Sequence, residues 1–253
     1  MILPGLCSIS FRELRASEIV DLVSRGQLTA IEWGGDVHVP HGDVACAKEV
    51  RKLTEDAGLK VSSYGSYYYL GDDDQPVDFG AVVETASALG APTIRVWGGR
   101  KDSDQAERPY VERIVREARN AGDAAAAAGI NVAFEFHGGS LTDTHESTKA
   151  LLGKIGHDNV GTYWQMPIGA TAQSCRAGLA SLLPWLINIH AFWLDAAGKA
   201  LLLDEGLEVW CSLLATAGTT GRDHYVLKEY VKDDSPNAFL QDAVTLRRLV
   251  ETL

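Results

Sequence analysis

Residues 131–139 contain two side chains that could do chemistry. If this segment is a strand, alternation places Glu135 and His137 on one face, while the opposite face is wholly apolar, as in a strand covered by helices. Two glycines follow, and glycine lets a backbone approach a ligand closely. Buried carboxylates are rare unless they are paired. The segment therefore predicts either a satisfied polar pair in a core or part of a functional site.

The segment belongs to a regular alternation of β-prone runs and runs with the apolar spacing of helices. The predicted strands cover residues 7–11, 30–35, 60–68, 92–99, 131–139, 160–165, 186–190 and 224–230. The predicted helices cover residues 17–23, 44–58, 76–90, 109–129, 147–155, 172–183, 205–217 and 236–253, with Pro76 in the first turn of the third helix.

Eight strands that alternate with eight helices, without a domain-boundary linker, are typical of a closed parallel barrel. We therefore predict an α/β fold, a (β/α)8 TIM barrel, as one domain over residues 1–253. An open doubly wound sheet is the alternative. Such a sheet often carries a Gly-rich phosphate loop after its first strand, and the residues after Phe11 form no such loop.

In a TIM barrel the functional groups lie at the carboxyl ends of the strands. Four successive predicted strand ends, from strand five to strand eight, carry Glu135, Gln165, His190 and Glu229. Two carboxylates, one imidazole and one amide could converge on a single divalent cation, although no local spacing tests this because only barrel closure brings them together. Taken singly, His190 could be a core histidine and Glu229 an ordinary charged strand end. His157 and His224, at the starts of elements, are interpreted as surface residues.

Aromatic residues cluster at the same strand ends. Trp97, Trp193 and nearby tyrosines could pack against the C–H faces of a small sugar or other polyol, which is the partner that we predict. Alternation turns some tryptophans outward into the helix layer, and Trp33 and Trp164 are the first candidates because each adjoins a predicted inward residue. Among the arginines, Arg95, Arg100 and Arg222 could receive an anionic group, although surface ion pairs are more common.

Composition narrows the class of protein. A formal net charge of −11 argues against a nucleic-acid partner. The four cysteines lack C-x-x-C spacing, which argues against a disulfide framework or thiolate zinc site and favours a reducing, cytoplasmic location. The N-terminus shows no signal-peptide pattern, and the longest apolar stretch, residues 179–194, is interrupted by polar residues and proline, so we expect no membrane partner. Barrels of this size often associate, and a homo-oligomer remains open.

Four short motifs resemble the xylose isomerase-like barrel superfamily of sugar phosphate isomerases and epimerases. The motifs are IEW at residues 31–33, FEFH at 134–137, NIH at 188–190 and KEY at 228–230. The resemblance spans essentially the whole chain. It implies a divalent cation, Mn²⁺, Mg²⁺, Co²⁺ or Zn²⁺, held by Glu135, Gln165, His190 and Glu229. It further implies a substrate site, for which the candidate residues are His137, Glu32, Trp97, Trp193 and His38.

The sequence departs from the family pattern at Gln165, where the family usually has Asp. An amide oxygen can ligate a metal, but the loss of one negative charge weakens cation binding. The family's frequent Asp after the histidine of strand seven is also missing, and Asp195 is the nearest substitute.

The implied chemistry is metal-assisted proton transfer next to a carbonyl, with Glu135 and Glu229 as base and acid in an isomerase or epimerase. A dehydratase of the same family would use the same groups. A DNA-repair endonuclease would need more ligands and a basic face, which the sequence lacks. A degenerate barrel that binds a sugar or metabolite without catalysis is the alternative that Gln165 favours.

Overall fold

The computed structural model describes residues 1–75 and 77–252. Pro76, predicted in the first turn of a helix, and Leu253, predicted at the end of the last helix, lie outside the described residues. Within these ranges, eight strands alternate with eight helices. The strands are β1 Ile2–Cys7, β2 Ala30–Gly34, β3 Lys60–Tyr69, β4 Thr93–Trp97, β5 Asn131–Phe134, β6 Val160–Trp164, β7 Leu186–Ala191 and β8 His224–Lys228. The helices are α1 Ala16–Arg25, α2 Val44–Asp56, α3 Phe79–Leu89, α4 Arg108–Ala126, α5 His145–Ile155, α6 Ala172–Leu182, α7 Leu207–Gly218 and α8 Pro236–Glu251.

The strands form a closed barrel in which each strand runs parallel to both neighbours and β8 pairs with β1. The predicted TIM barrel is therefore confirmed. N-cap residues mark several helix starts. The side chains of Asp78, Thr171 and Ser235 accept a hydrogen bond from a backbone N–H in the first turn of α3, α6 and α8, respectively. None of the helices in the described part of the chain combines the length and hydrophobicity that crossing a bilayer requires.

The first strand lies earlier than the sequence predicts. The prediction was residues 7–11, but β1 is Ile2–Cys7, and Ser8–Phe11 forms a 3₁₀ turn. Pro4 and Gly5 lower the β-propensity of the true strand, which hid it. Gly5 pairs with Ala30 of β2, and a Cβ at Gly5 would lie 2.6 Å from the Ala30 carbonyl oxygen. The strand therefore needs glycine where the sequence pattern disfavours a strand.

Alternation along the strands divides the apolar residues into two cores. The large core lies between the barrel wall and the helices, and it contains Trp33 and Trp164. The Trp33 indole donates to Thr54 of α2 and the Trp164 indole donates to His145 of α5, which confirms that both rings point outward. A small separate cluster of Ala133, Tyr163 and Leu227 comes from the inward faces of β5, β6 and β8. Its three residues lie two positions before Glu135, Gln165 and Glu229 in the chain, so the cluster lies inside the barrel below those polar side chains.

His224 is buried, at 2% exposure, so its interpretation as a surface residue is wrong. It begins β8 at the amino end of the barrel, where its ring nitrogens bond to the Ile187 carbonyl at 2.8 Å and the Thr220 hydroxyl at 2.6 Å. Burial lowers its pKa below the usual value, and the nearby Arg222 and N-terminal amine act in the same direction, against the Ile187 carbonyl and Asp223. The position of His224 at the start of a predicted strand gave no indication that its side chain would be buried.

We expect His224 to make the protein less stable as the pH falls. Below pH ~6.5 the unfolded chain binds a proton at this residue that the folded chain resists, so the free energy of unfolding falls with pH, by at most about 1.4 kcal/mol per pH unit. Urea denaturation at pH 7.5 and 5.5 measures this change. The His224→Gln variant lacks the proton-binding group and should lose less stability over the same interval. An equal loss in both proteins would contradict the assignment.

Candidate active site

Glu32 lies inside the barrel where β1, β2 and β3 run side by side. The strand register places Cys7 beside Glu32 and Glu32 beside Ser63. The Ser63 hydroxyl donates to Glu32 Oε2 at 2.8 Å, and the Cys7 thiol donates to Glu32 Oε1 at 3.2 Å. Burial raises the pKa of Cys7 to about 12, and Glu32 contributes, so the thiol keeps its proton. Glu32 is thus a fully buried carboxylate held by neutral donors from both neighbouring strands.

Arg95 is the cation that balances the buried carboxylates. It lies on the inward face of β4, is 1% exposed, and donates through Nε to Glu32 Oε1 at 2.9 Å. Its Nη1 donates to Glu135 Oε2 in a second buried ion pair. The Tyr67 ring covers the guanidinium, with 5.1 Å between the ring centroid and Cζ. Arg95 is therefore neither a surface residue nor free for an anionic ligand: it bridges β2 and β5 through the barrel interior.

His190 connects the same carboxylates to the carboxyl ends of β6 and β8. Its Nδ1 lies 3.3 Å from Gln165 Oε1, 3.3 Å from Glu229 Oε2 and 3.9 Å from Glu135 Oε1. Its Nε2 faces Glu32 Oε1 at 3.3 Å. The structure thus brings all four predicted metal-ligand candidates together around one imidazole nitrogen.

These four residues fit a small divalent cation. Adjacent ligand atoms of an octahedral cation with bonds of about 2.1 Å lie about 3 Å apart, close to the spacings around His190. One ligand atom each from Glu135, His190 and Glu229 lies within 4.8 Å of the other two. In the described part of the chain, Glu229 Oε2 is a buried oxygen without a hydrogen-bond partner, as a metal-ligating oxygen is before the ion binds.

Burial and charge act against each other in this cluster. Burial disfavours the charged form of Glu32, but Arg95 and His190 outweigh it and hold its pKa well below the usual range. Burial raises the pKa of Glu135, which Arg95 opposes and Glu229 reinforces. Burial disfavours protonated His190, but Glu229 and Glu32 raise its pKa well above the usual value, and the same attraction lowers the pKa of Glu229 against burial. Each of the three carboxylates therefore faces at least one of the two groups that can carry positive charge, Arg95 and His190.

Lys228 and Glu229 are neighbours that point in opposite directions. Lys228 points outward, is fully buried, and lies 3.2 Å from the Asp242 carboxylate of α8. Its ammonium also donates to the backbone carbonyls of Glu229 and Tyr230 at 3.0 and 3.1 Å. Asp242 in turn accepts from the Leu203 backbone at 2.7 Å. The Lys228–Asp242 pair therefore fixes the backbone that carries Glu229, and Glu229 is not merely a charged strand end.

Three of the candidate substrate-binding residues, His137, Trp97 and His38, have different surroundings. His137 packs on Trp97 at the barrel mouth, with ring centroids 4.5 Å apart, and Trp97 stacks on Tyr69 at 5.1 Å. Trp97 Nε1 is buried and, among the described residues, has no hydrogen-bond partner. His38 instead bonds to Ser8 and to the Leu14 carbonyl with its two ring nitrogens.

Two further side chains after β7 serve the local fold. Trp193 packs its ring over Gly206, where a Cβ would collide with it. Asp195, considered as a substitute for the missing family Asp, accepts backbone N–H groups from Ala197 and Lys199 at 2.8 and 2.9 Å and so closes a turn.

Sequence reasoning missed the central role of Arg95 and the supporting roles of Cys7, Ser63 and Asn188. A signal for Arg95 was present, since residues 94 and 96 are apolar and alternation places Arg95 on the inward face of its strand. Asn188 Nδ2 donates to the Tyr163 hydroxyl at 2.9 Å, and Tyr163 packs edge-on against His190 with centroids 5.0 Å apart. The Asn188–Tyr163 hydrogen bond and the Tyr163–His190 contact join different strands, so they depend on barrel closure and nothing in the local sequence pattern indicates them.

The barrel and its polar centre define a class of protein, a TIM barrel with a carboxylate–histidine site inside its wall. The family model of the xylose isomerase-like TIM barrel matches residues 20–166, and the chain belongs to this family. No curated protein sequence matches the chain.

Solved structures share the fold at low sequence identity. The probable 3-DHS dehydratase AsbF of Bacillus anthracis, involved in petrobactin synthesis, is 21% identical, with a TM-score of 0.77 and 99% of both chains covered. A xylose isomerase-like TIM barrel protein of Mycobacterium smegmatis in complex with magnesium is 16% identical, with a TM-score of 0.73 and coverage of 99% of this chain and 98% of that chain. D-psicose 3-epimerase of Clostridium cellulolyticum H10 with D-tagatose is 13% identical, with a TM-score of 0.69 and coverage of 99% and 96%.

We expect Asp242→Asn to lower the free energy of unfolding by about 3–5 kcal/mol, because it leaves the buried Lys228 ammonium without its counter-charge. Urea denaturation at pH 7 measures the change. Asp223→Asn is a matched control: Asp223 pairs with the N-terminal amine at the surface, with 73% exposure of its side chain, and its loss should cost less than about 1 kcal/mol. The double variant Lys228→Met/Asp242→Asn should recover much of the loss, because it removes the unpaired charge while the amide oxygen of the new side chain can still accept from the Leu203 backbone N–H. Equal stability of the two Asp→Asn variants would contradict this role.

Proposed function

We propose that this protein is a divalent-metal-dependent isomerase or epimerase of a small sugar or related polyhydroxy ketone. The observation that carries the proposal is the convergence of Glu135 and Glu229 on Nδ1 of His190, with the ligand atoms of all three within 4.8 Å of one another. Glu135, Gln165, His190 and Glu229 would hold the cation. When bound there, the cation would supply Lewis-acid stabilisation of the negative charge on a substrate oxygen.

The side chains of this site suit proton transfer. Glu135 and Glu229 come from strands three places apart in the barrel wall, so the two carboxylates approach a bound substrate from different sides. Two carboxylates can remove a proton from one face of a carbon and return a proton to the other face, which inverts that carbon, whereas one carboxylate can move the proton between neighbouring carbons. Arg95 and Lys228 keep Glu135 and Glu229 in place from outside the reaction centre.

The barrel mouth supports a polyol as the substrate class. Trp97, Tyr69 and His137 form a contiguous aromatic surface beside the carboxylates. Such rings pack against the C–H faces of sugars, and the free Trp97 N–H supplies a hydrogen-bond donor for a hydroxyl. His137 would orient the substrate from the same surface.

A dehydratase is the second candidate function. The dehydratase of Bacillus anthracis, which shares this fold, makes this alternative specific, and the same carboxylates could remove a proton next to a carbonyl while a hydroxyl leaves. A barrel that binds a metabolite without turnover is the third, and neutral Gln165 among the ligand candidates favours it. The products separate the three functions.

The test is deuterium incorporation into D-tagatose, the sugar present with the Clostridium epimerase. We expect the protein with Mn²⁺ in D₂O to incorporate deuterium beside the ketone carbon, as followed by NMR, and to form an epimer or isomer. Glu135→Gln and Glu229→Gln should each slow incorporation at least about 10²–10⁴-fold, because each removes a proton-transfer group that is also a proposed ligand of the cation. Glu112→Gln, on the exposed face of α4, is the matched control and should retain the full rate.

Other ketoses and hydroxy-ketones are tested in the same way if D-tagatose is inert. Loss of water with formation of a conjugated carbonyl, detected by ultraviolet absorbance, would replace the epimerase proposal with the dehydratase. Incorporation that persists at the wild-type rate in both Gln variants would reject the assignment of Glu135 and Glu229.

A further inference from the structure

Arg95 shares a carboxylate with the proposed metal site. Glu135 Oε2 accepts from Arg95 Nη1, while Oε1 of the same group faces His190 Nδ1 at 3.9 Å. The barrel wall is shaped to hold the guanidinium here. Gly65 of β3 lies beside Arg95 in the strand register, and a Cβ at Gly65 would lie 2.7 Å from Arg95 Nη2. A larger residue at this position would displace the arginine from its place between the carboxylates.

A guanidinium and a divalent cation on the two oxygens of one carboxylate repel each other. The repulsion is strong inside a protein, where little water screens it. The ligand set has only two carboxylates, Glu135 and Glu229, since Gln165 is neutral, so the positive charge of Arg95 offsets half of the negative charge that attracts a cation. Glu32 adds one negative charge near the ligand set. Its oxygens, however, already accept hydrogen bonds from Arg95, Ser63 and Cys7.

We propose that Arg95 competes with the divalent cation for Glu135 and thereby sets the metal affinity of the site. Without metal, Arg95 is the counter-ion that lets Glu135 remain buried. When metal binds, the Arg95–Glu135 contact weakens and the guanidinium relies on Glu32. The proposal rests on the metal site of the proposed function, and it assigns Arg95 as a positioning residue that tunes this site.

The test is titration of the metal-free protein with Mn²⁺, followed by isothermal calorimetry. Arg95→Met should bind Mn²⁺ at least tenfold more tightly than the wild type, because Glu135 is released and the site becomes more negative. Structural damage would weaken binding, so the predicted direction separates the two causes. Arg113→Met is the matched control. Arg113 lies on α4, away from the barrel interior, and pairs with Asp73 and with Glu117, so its loss should leave the Mn²⁺ affinity unchanged. An unchanged or weaker affinity in folded Arg95→Met would overturn the proposal.

A charge-balanced variant separates direct competition from a general change in charge. Arg95→Met/Glu32→Gln has the same formal charge as the wild type, yet Glu135 is free of the guanidinium. It should still bind Mn²⁺ more tightly than the wild type, whereas wild-type affinity would mean that net charge alone is responsible and would overturn the proposal. If the single variant does not fold, this double variant, which removes the Glu32 charge together with that of its partner Arg95, decides alone.

Glu229→Gln distinguishes failure of this inference from failure of the metal site. In the wild type and in Arg95→Met, it should abolish Mn²⁺ binding. If it does so while Arg95→Met has wild-type affinity, the metal site stands and the role of Arg95 is rejected. If Mn²⁺ binding survives Glu229→Gln, the ion binds elsewhere, and both the metal site and the inference that rests on it are rejected.

Discussion

The structure of the barrel interior depends on charge balance among deeply buried side chains. Glu32, Glu135 and Glu229 are each at most 3% exposed, and each would be costly to bury alone. Arg95 and His190 supply the compensating positive charge, and neutral donors from Cys7 and Ser63 complete the partners of Glu32. The interaction between Arg95 and two carboxylates therefore holds together the ends of three strands. Within this balance, Glu229 Oε2 and Arg95 Nη2 make no hydrogen bond in the described residues.

The period of two along each strand separates this polar centre from the packed shell. On β8 it turns Lys228 outward to Asp242 and Glu229 inward to His190, so that one charged pair stabilises the sheet and the next residue serves the site. Tryptophans follow the same rule, since Trp33 and Trp164 fill the helix layer while Trp97 lies at the mouth. Local geometry thus assigns neighbouring residues to the packed shell and to the polar centre.

Gln165 and Arg95 both affect the net charge of the ligand cluster. Both make the ligand cluster less negative than a set of three carboxylates would be: one residue omits a charge and the other adds an opposite one. The counter-ion of Glu135 inside this cluster is an arginine side chain, which differs from metal domains in which a bound ion supplies the folding energy.

The sequence by itself determined the barrel, the four ligand candidates and the outward direction of two tryptophans. Hydrophobic period, glycine at strand ends and chain order are local properties, and they were sufficient for these predictions. Tertiary structure alone decided that Arg95 is the central cation, that Cys7, Ser63 and Asn188 support the site, and that His224 is buried. The burial of a polar residue depends on partners from distant strands, such as Ile187 for His224 and Glu135 for Arg95, and no single strand records them. The true first strand was hidden for a related reason: Pro4 and Gly5 are poor strand residues, and close approach to Ala30 across the barrel makes glycine necessary there.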